Sequence, residues 1–228
     1  MTSSASVFVF TFYNPRADET AAYTEWLRDV HIPENLDLLD GVVAGHLFSR
    51  QDQQPVMTDP LAFPLFSIHE FTDDPERILD EAHSIERQAY EGGRAYTRTT
   101  LHSPLGDRHG SSAPGESVVV EFAQYPPDLR PTILEYQRAQ WLDEVCGLDG
   151  VIAVQRYEKY GLDHPPIPFS APLSYRDLII WEFEDGVGRW LGARSDTGLD
   201  AGFPEFTDDD LARASLSERR SGAFVRLL

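Results

Sequence analysis

Four side chains stand out for the chemistry they could perform: His31, His46, His69 and Glu121. An unperturbed imidazole titrates close to neutral pH, so a histidine at the edge of a binding cavity can take or give a proton there. His31 lies in "HIPEN", where Pro33 is expected to end the preceding helix and the Ile32 to Leu39 segment to line a cavity mouth. The simpler alternative is that His31 caps helix carbonyls at the negative end of the dipole. His46 and His69 fall on two strands and are expected on one sheet face, although strand histidines also serve as structural residues. Glu121 interrupts the apolar run "VVVEFA". Facing a cavity it would be an acid or base; the other strand parity would turn it to solvent.

Seven further residues are expected to form the walls around that acid–base set: Thr11, Tyr13, Phe48, Arg98, Gln155, Tyr157 and Trp181. An apolar pocket with a few convergent polar groups is the usual profile of a small-molecule site. A three-histidine metal site is disfavoured, because the spacing is not local and no helix carries a paired ligand motif. The single cysteine, Cys146, excludes an internal disulfide framework. No phosphate-cradling glycine loop, nicotinamide fingerprint or nucleophile elbow is present, so no nucleotide cofactor is expected.

The elements that must position these residues follow from pattern. "VFVFTFYNP" and "VVVEFAQYPP" read as alternating strands ending in turns, each followed by a helix, Asp18 to Val30 and Pro131 to Val145. Asp-Gly turns then launch strands in "DGVVAGHLFSR" and "DGVIAVQRYEK". Third strands "FSIHEF" and "LIIWEF", second helices (Pro75 to Tyr90 and Asp208 to Arg220) and closing strands "AYTRTTL" and "AFVRLL" complete each half. "EWLRDV" and "QWLDEV" are matched as landmarks, which leaves the His-Ile-Pro segment without a counterpart. The order is βαββαβ twice, an α+β chain of two ferredoxin-like halves. The expected division is 1–104 for the first half, 105–116 for a linker and 117–228 for the second. Each open sheet face covers the other, giving a monomeric pseudo-dimer with one cavity between the sheets; further association through outer surfaces stays open.

Alternation predicts which residues face that cavity. The expected set is Val9, Thr11 and Tyr13, with Val119 and Glu121, then Ala44, His46 and Phe48, with Ala153, Gln155 and Tyr157. On the third strands Ser67, His69 and Phe71, with Ile179, Trp181 and Phe183, are preferred over the opposite parity. Arg98 and Arg226 are left open. Two long insertions, Gln51 to Pro64 and Tyr160 to Tyr175, together with Ser195 to Phe206, are expected to form a rim.

"YTEWLRDVHIPENLDLLDGVVAGHLF" resembles the signature of EthD-like members of the dimeric α+β barrel superfamily. The matching positions are Trp26, His31, Pro33, Glu34, Leu36 and Gly41, with Trp26 one residue further from the histidine than in that pattern. The resemblance implies the barrel fold, and a superfamily of monooxygenases, isomerases, lyases, dehydratases and haem enzymes. The expected function is a cofactor-independent lyase, isomerase or cyclase acting on a hydrophobic, aromatic or polyketide-like molecule. A non-catalytic binding protein and a cofactor-free or haem-dependent monooxygenase are the alternatives.

Bulk composition narrows the partners. The 228 residues carry a formal net charge of −19, with Lys159 the sole lysine. Such a field repels phosphate backbones and anionic bilayers, so neither nucleic acid nor membrane is an expected partner. No segment reads as a signal peptide or membrane span, and a cytoplasmic setting is expected.

Overall fold

The computed structural model describes residues 7–52, 59–72, 77, 95–111, 114–142, 146–148, 150–160, 170–172, 175–187 and 218–228. Apart from Arg77, the second helix expected in the first half lies outside them, as do 53–58 of the first rim insertion, most of the second insertion and the segment Ser195 to Phe206. So does nearly all of the second half's second helix. Its last three expected residues belong instead to the closing strand, which starts earlier than its apolar run suggested.

The strands are β1 (Val7–Asn14), β2 (Val42–Arg50), β3 (Asp59–Pro60), β4 (Leu65–Phe71), β5 (Tyr96–Pro104) and β6 (His109–Gly110). There follow β7 (Ser117–Gln124), β8 (Val151–Lys159), β9 (Ser170–Pro172), β10 (Asp177–Phe183) and β11 (Glu218–Arg226). Eight of them close into an antiparallel barrel in the order β8, β10, β7, β11, β2, β4, β1, β5, with β5 returning to β8. The first four main strands lie as β2, β4, β1, β5 and the last four as β8, β10, β7, β11, the same relative order. Closure removes the free sheet edges that would otherwise recruit other chains.

The barrel interior is filled rather than hollow. One cluster takes Phe8, Phe10 and Phe12 from β1, Phe66 and Ile68 from β4, Val118, Val120 and Phe122 from β7, and Ile180 from β10. Rings from the two sets of strands meet directly: Phe12 and Phe122 centroids lie 5.5 Å apart, Phe8 and Tyr157 5.0 Å, Phe66 and Phe224 4.6 Å. Such pairs add about 0.5–1.5 kcal/mol each beyond area burial.

This corrects the expected parity of the first and third strands. Val9, Thr11, Tyr13, Val119 and Glu121 lie on the helix-covered face, as do Ser67, His69, Phe71, Ile179, Trp181 and Phe183. The second strands are as expected, with His46 and Phe48, Gln155 and Tyr157 turned inward. The physical cause is that both faces are covered. Every residue of β4 and of β10 is buried, so neither strand carries a polar side to read.

The helix does not stop at Pro33. A 3-10 turn (Ala17–Glu19) leads into α1 (Thr20–Trp26), a π turn (Leu27–His31) and α2 (Ile32–Leu38), all in sequence. Buried positions run Tyr23, Leu27, Ile32 and Asn35. The step from Leu27 to Ile32 is too long for one face of a regular α-helix, and the π turn absorbs the extra residue. Ile32 N–H bonds to Leu27 O across that turn, and Pro33 sits in the first turn of α2, where a missing amide is tolerated.

The second half repeats the device. Helix α3 (Arg130–Tyr136) runs into a π turn at Gln137–Trp141. In both halves the π turn opens twenty residues after the preceding strand does, Val7 to Leu27 and Ser117 to Gln137. Trp26-Leu27 and Trp141-Leu142 are therefore not counterparts, and the His-Ile-Pro segment is not missing. Trp141 and Leu142 hold the positions of His31 and Ile32 in the second half. The Asp-Gly turns do correspond, with Gly41 at φ 84° and Gly150 at φ 85°, backbone that favours glycine.

Candidate functional site

The expected site residues divide between two faces of the sheet, and one group converges in the seam between the first half's helix and its strands. His31 closes the π turn, and Asn35 stands one helical turn further on the same side. His69 reaches the seam from β4, opposite Val9 on β1 and Gly45 on β2. The Asn35 amide nitrogen lies 3.3 Å from His31 Nε2 and 3.2 Å from His69 Nε2. One carboxamide thus holds the corresponding nitrogens of two imidazoles. Asn35 and His69 are each only 5% exposed, whereas His31 is half-buried and the outermost of the three.

Gly45 makes this approach possible. A Cβ there would stand 2.7 Å from Ile32 Cγ2 and 3.6 Å from His69 Cδ2, so any side chain would push the helix off the strand. An aromatic ladder leads to His31 along the seam. Tyr13 and Tyr23 centroids are 5.9 Å apart, Tyr23 and Trp26 5.3 Å, and Trp26 stacks on His31 at 4.9 Å and 26°. Tyr13 also shares a 2.9 Å hydrogen bond with Ser67, and Thr99 donates to Thr11 at 3.2 Å.

His46 lies on the other face, inside the barrel, so it cannot converge with His31 and His69. Its Nε2 is 2.8 Å from Glu70 Oε1 and its Nδ1 is 2.7 Å from Arg226 Nη1. The chain continues from Arg226 Nε to Gly115 O at 3.0 Å, and from Gly115 N to Glu182 Oε2 at 2.9 Å. Arg108 closes it on Glu182 at 2.9 Å. Glu70 and Glu182 are fully enclosed. Phe48 lies beneath Arg226, whose guanidinium carbon is 5.0 Å from the ring centroid. Tyr157, also interior, has its pKa pushed well up by burial and by the nearby Glu182 and Glu70 carboxylates. Burial conversely lowers that of Arg226, against the pull of the same two carboxylates.

The remaining expected residues are dispersed. Glu121, buried on the helix face of the second half, lies opposite Ile179 and Ser221, far from the histidine pair in the strand order. Trp181 packs in the second half's helix-side core with Val154 and Ile179. Gln155 spends its amide on Gly106 O and Arg156 O, and Arg98 bonds Tyr96 Oη at 3.0 Å in an exposed contact. Trp181 holds on β10 the position that His69 holds on β4, so the histidine pair belongs to the first half alone.

Asn35, Glu70, Arg226, Glu182 and Arg108 were not anticipated. Asn35 was legible as the residue four after His31, but only if the helix passes Pro33. The two glutamates share one position in "HEF" and "WEF", a signal the repeat already contained.

No family model matches the sequence, and comparison with curated proteins finds no significant match. Solved structures do match across nearly the whole chain. An anthrone oxidase-like protein aligns with TM-score 0.64 at 10% identity, covering 99% of this chain and 92% of the other. A putative monooxygenase from Fusobacterium nucleatum aligns with TM-score 0.57 at 9% identity, covering 100% and 94%. A mutant chlorite dismutase from Candidatus Nitrospira defluvii, in complex with cyanide, gives 0.55 at 10%, covering 98% and 92%. The likeness shows the fold alone, an antiparallel α+β barrel. Haem, the cofactor of one alternative expected from the sequence, does not fit the histidine pair. Both Nε2 atoms point at the Asn35 amide within 3.3 Å, where an iron would have to stand. Among the described residues no helix is long and apolar enough to cross a membrane.

Proposed function

We propose that this chain is a cofactor-independent enzyme that moves a proton on a hydrophobic aromatic or polyketide-like small molecule. The observation that carries the reading is the convergence of His31 and His69 on Asn35 beside the Trp26 and Tyr23 rings. His31, the half-buried and outermost member, acts as base and acid. Trp26, half-buried beside His31 and backed by the buried Tyr23, offers an apolar aromatic surface to an aromatic substrate. A carbon acid deprotonated there can be reprotonated at another carbon, expel a leaving group or close a ring, with His31 returning the proton.

A second reading shares the first step. The names of the anthrone oxidase-like and monooxygenase neighbours favour dioxygen as the partner of the resulting carbanion. Both readings predict that His31 is essential and differ in oxygen use. We also read the chain as an EthD-like tandem fusion, a monomeric pseudo-dimer with halves 1–104 and 117–228. The shared strand order and the repeated π turn support this.

Anthrone, a tricyclic ketone with an acidic central methylene, is a suitable probe. Incubated without oxygen in deuterated buffer, it should exchange its methylene hydrogens faster with the protein than without. His31→Ala should lower that rate about 10²–10⁴-fold at unchanged folding. Admitting oxygen then separates the readings, since oxygenation consumes one dioxygen and releases one water as the ketone becomes a quinone. Binding without any acceleration of exchange would make the protein a carrier. Full activity in His31→Ala would remove the seam as the site.

A further inference from the structure

We infer that Asn35 makes His31 and His69 a single two-state unit, in which the orientation of one carboxamide selects which nitrogen of each ring carries the proton. The catalytic meaning rests on the seam being the reactive site; the coupling does not. Only one end of the amide can face both rings, which sit 3.3 and 3.2 Å from the same Asn35 atom. With the NH2 group facing them, both Nε2 atoms must offer lone pairs, and each neutral ring carries its proton on Nδ1. With the oxygen facing them, both Nε2 atoms must carry protons, and neutral His31 presents a bare Nδ1. A mixed pair leaves a buried clash of two donors or two lone pairs, and is disfavoured.

The amide itself carries the second observation. In the orientation found, Oδ1 of Asn35 is buried without a hydrogen-bond partner. A buried acceptor left idle is expensive, which narrows the free-energy gap to the flipped orientation. Rotation by half a turn puts that oxygen on both rings. In that state Nε2–H of His31 and of His69 both donate to Asn35 Oδ1, and His31 Nδ1, itself enclosed in the seam, holds the lone pair. His69, buried and out of reach of substrate, follows by moving its own proton from Nδ1 to Nε2 through exchange with solvent. Asn35 is thus a positioning residue. Among the described residues the other titratable or charged groups on the packed elements are Asp18, Glu19, Tyr23, Glu25, Arg28, Asp29, Glu34 and Asp37 on the helix, Tyr13 on β1, His46 and Arg50 on β2 and Glu70 on β4.

Nitrogen-15 NMR of histidine-labelled protein tests this without substrate, with ring assignments from His31→Gln and His69→Gln. Across a pH titration the two Nε2 sites of the unmodified protein should be bare together or protonated together, changing in one transition. Asn35→Leu should keep the fold and split the transition in two. Asn35→Asp, whose carboxylate can only accept, should keep protons on both Nε2 atoms throughout. Opposite tautomers in the unmodified protein overturn the proposal, as does a joint transition surviving in Asn35→Leu. If Asn35→Leu does not fold, a bare Nε2 facing the carboxylate in Asn35→Asp overturns it equally. A joint transition in a protein that accelerates no exchange would refute the proposed function while leaving the coupling intact.

Discussion

Arg226 donates to His46 Nδ1 at 2.7 Å, and that contact fixes where the imidazole proton lies. A guanidinium has no acceptor, so Nδ1 must supply a lone pair and Nε2 must carry the hydrogen given to Glu70 at 2.8 Å. The residues come from opposite ends of the chain, so this bond ties the last strand to the first half.

Removing either member should therefore cost stability. His46→Ala or Arg226→Ala strips a partner from a chain that ends on fully buried Glu70, and about 3–5 kcal/mol is expected. Urea denaturation measures it. His46→Ala combined with Glu70→Gln should recover part of the loss, because the stranded charge is gone. A loss below about 1 kcal/mol would show that the chain does not hold the barrel closed.

His102 supplies a pH dependence of known sign. It is completely buried in the barrel, edge-on to Phe10 at 5.5 Å, and burial with nearby Lys159 lowers its pKa to about 3. The unfolded chain, with an ordinary histidine near 6.5, binds the proton that the folded chain refuses. Stability is thus fully present above about 6.5 and falls as pH drops toward 3, by up to about 1.4 kcal/mol per pH unit. His102→Leu should flatten the curve between pH 6.5 and 5, measured as urea midpoints. An unchanged slope would mean that other groups set it.

Gly45 predicts a steric effect with a built-in control. Gly45→Ala places a methyl 2.7 Å from Ile32 Cγ2 and should destabilise by about 1–3 kcal/mol. Ile32→Ala removes the atom that is struck, so the double variant should be more stable than the sum of the singles requires. Strict additivity would place the helix further from the strand than described.

The shared core predicts that the halves cannot stand alone. Phe12, Phe66 and Phe8 are covered by Phe122, Phe224 and Tyr157 from the other set of strands. Cutting the chain after Gly106 should yield fragments that fold cooperatively only when mixed. A soluble, cooperatively melting single half would contradict this dependence.

Much of the architecture lies in the sequence itself, because strand spans, Asp-Gly turns and the repeat are patterns between near neighbours. The order of the eight barrel strands, the helix after the first strand of each set, and the inward placement of His46, Phe48 and Tyr157 were legible in that way. Tertiary structure alone decided the rest. Strand β7 reads Val118, Val119, Val120 with no polar beat, because one face meets the other sheet and the opposite face meets a helix. Alternation cannot say which face is which when both are dry. Pro33 reads locally as a stop, and only the sheet's demand to keep Ile32 and Asn35 buried makes a π turn worthwhile. His31 and His69 are thirty-eight positions apart, and the carboxamide between them matters only once helix and strand have packed through the gap that Gly45 leaves.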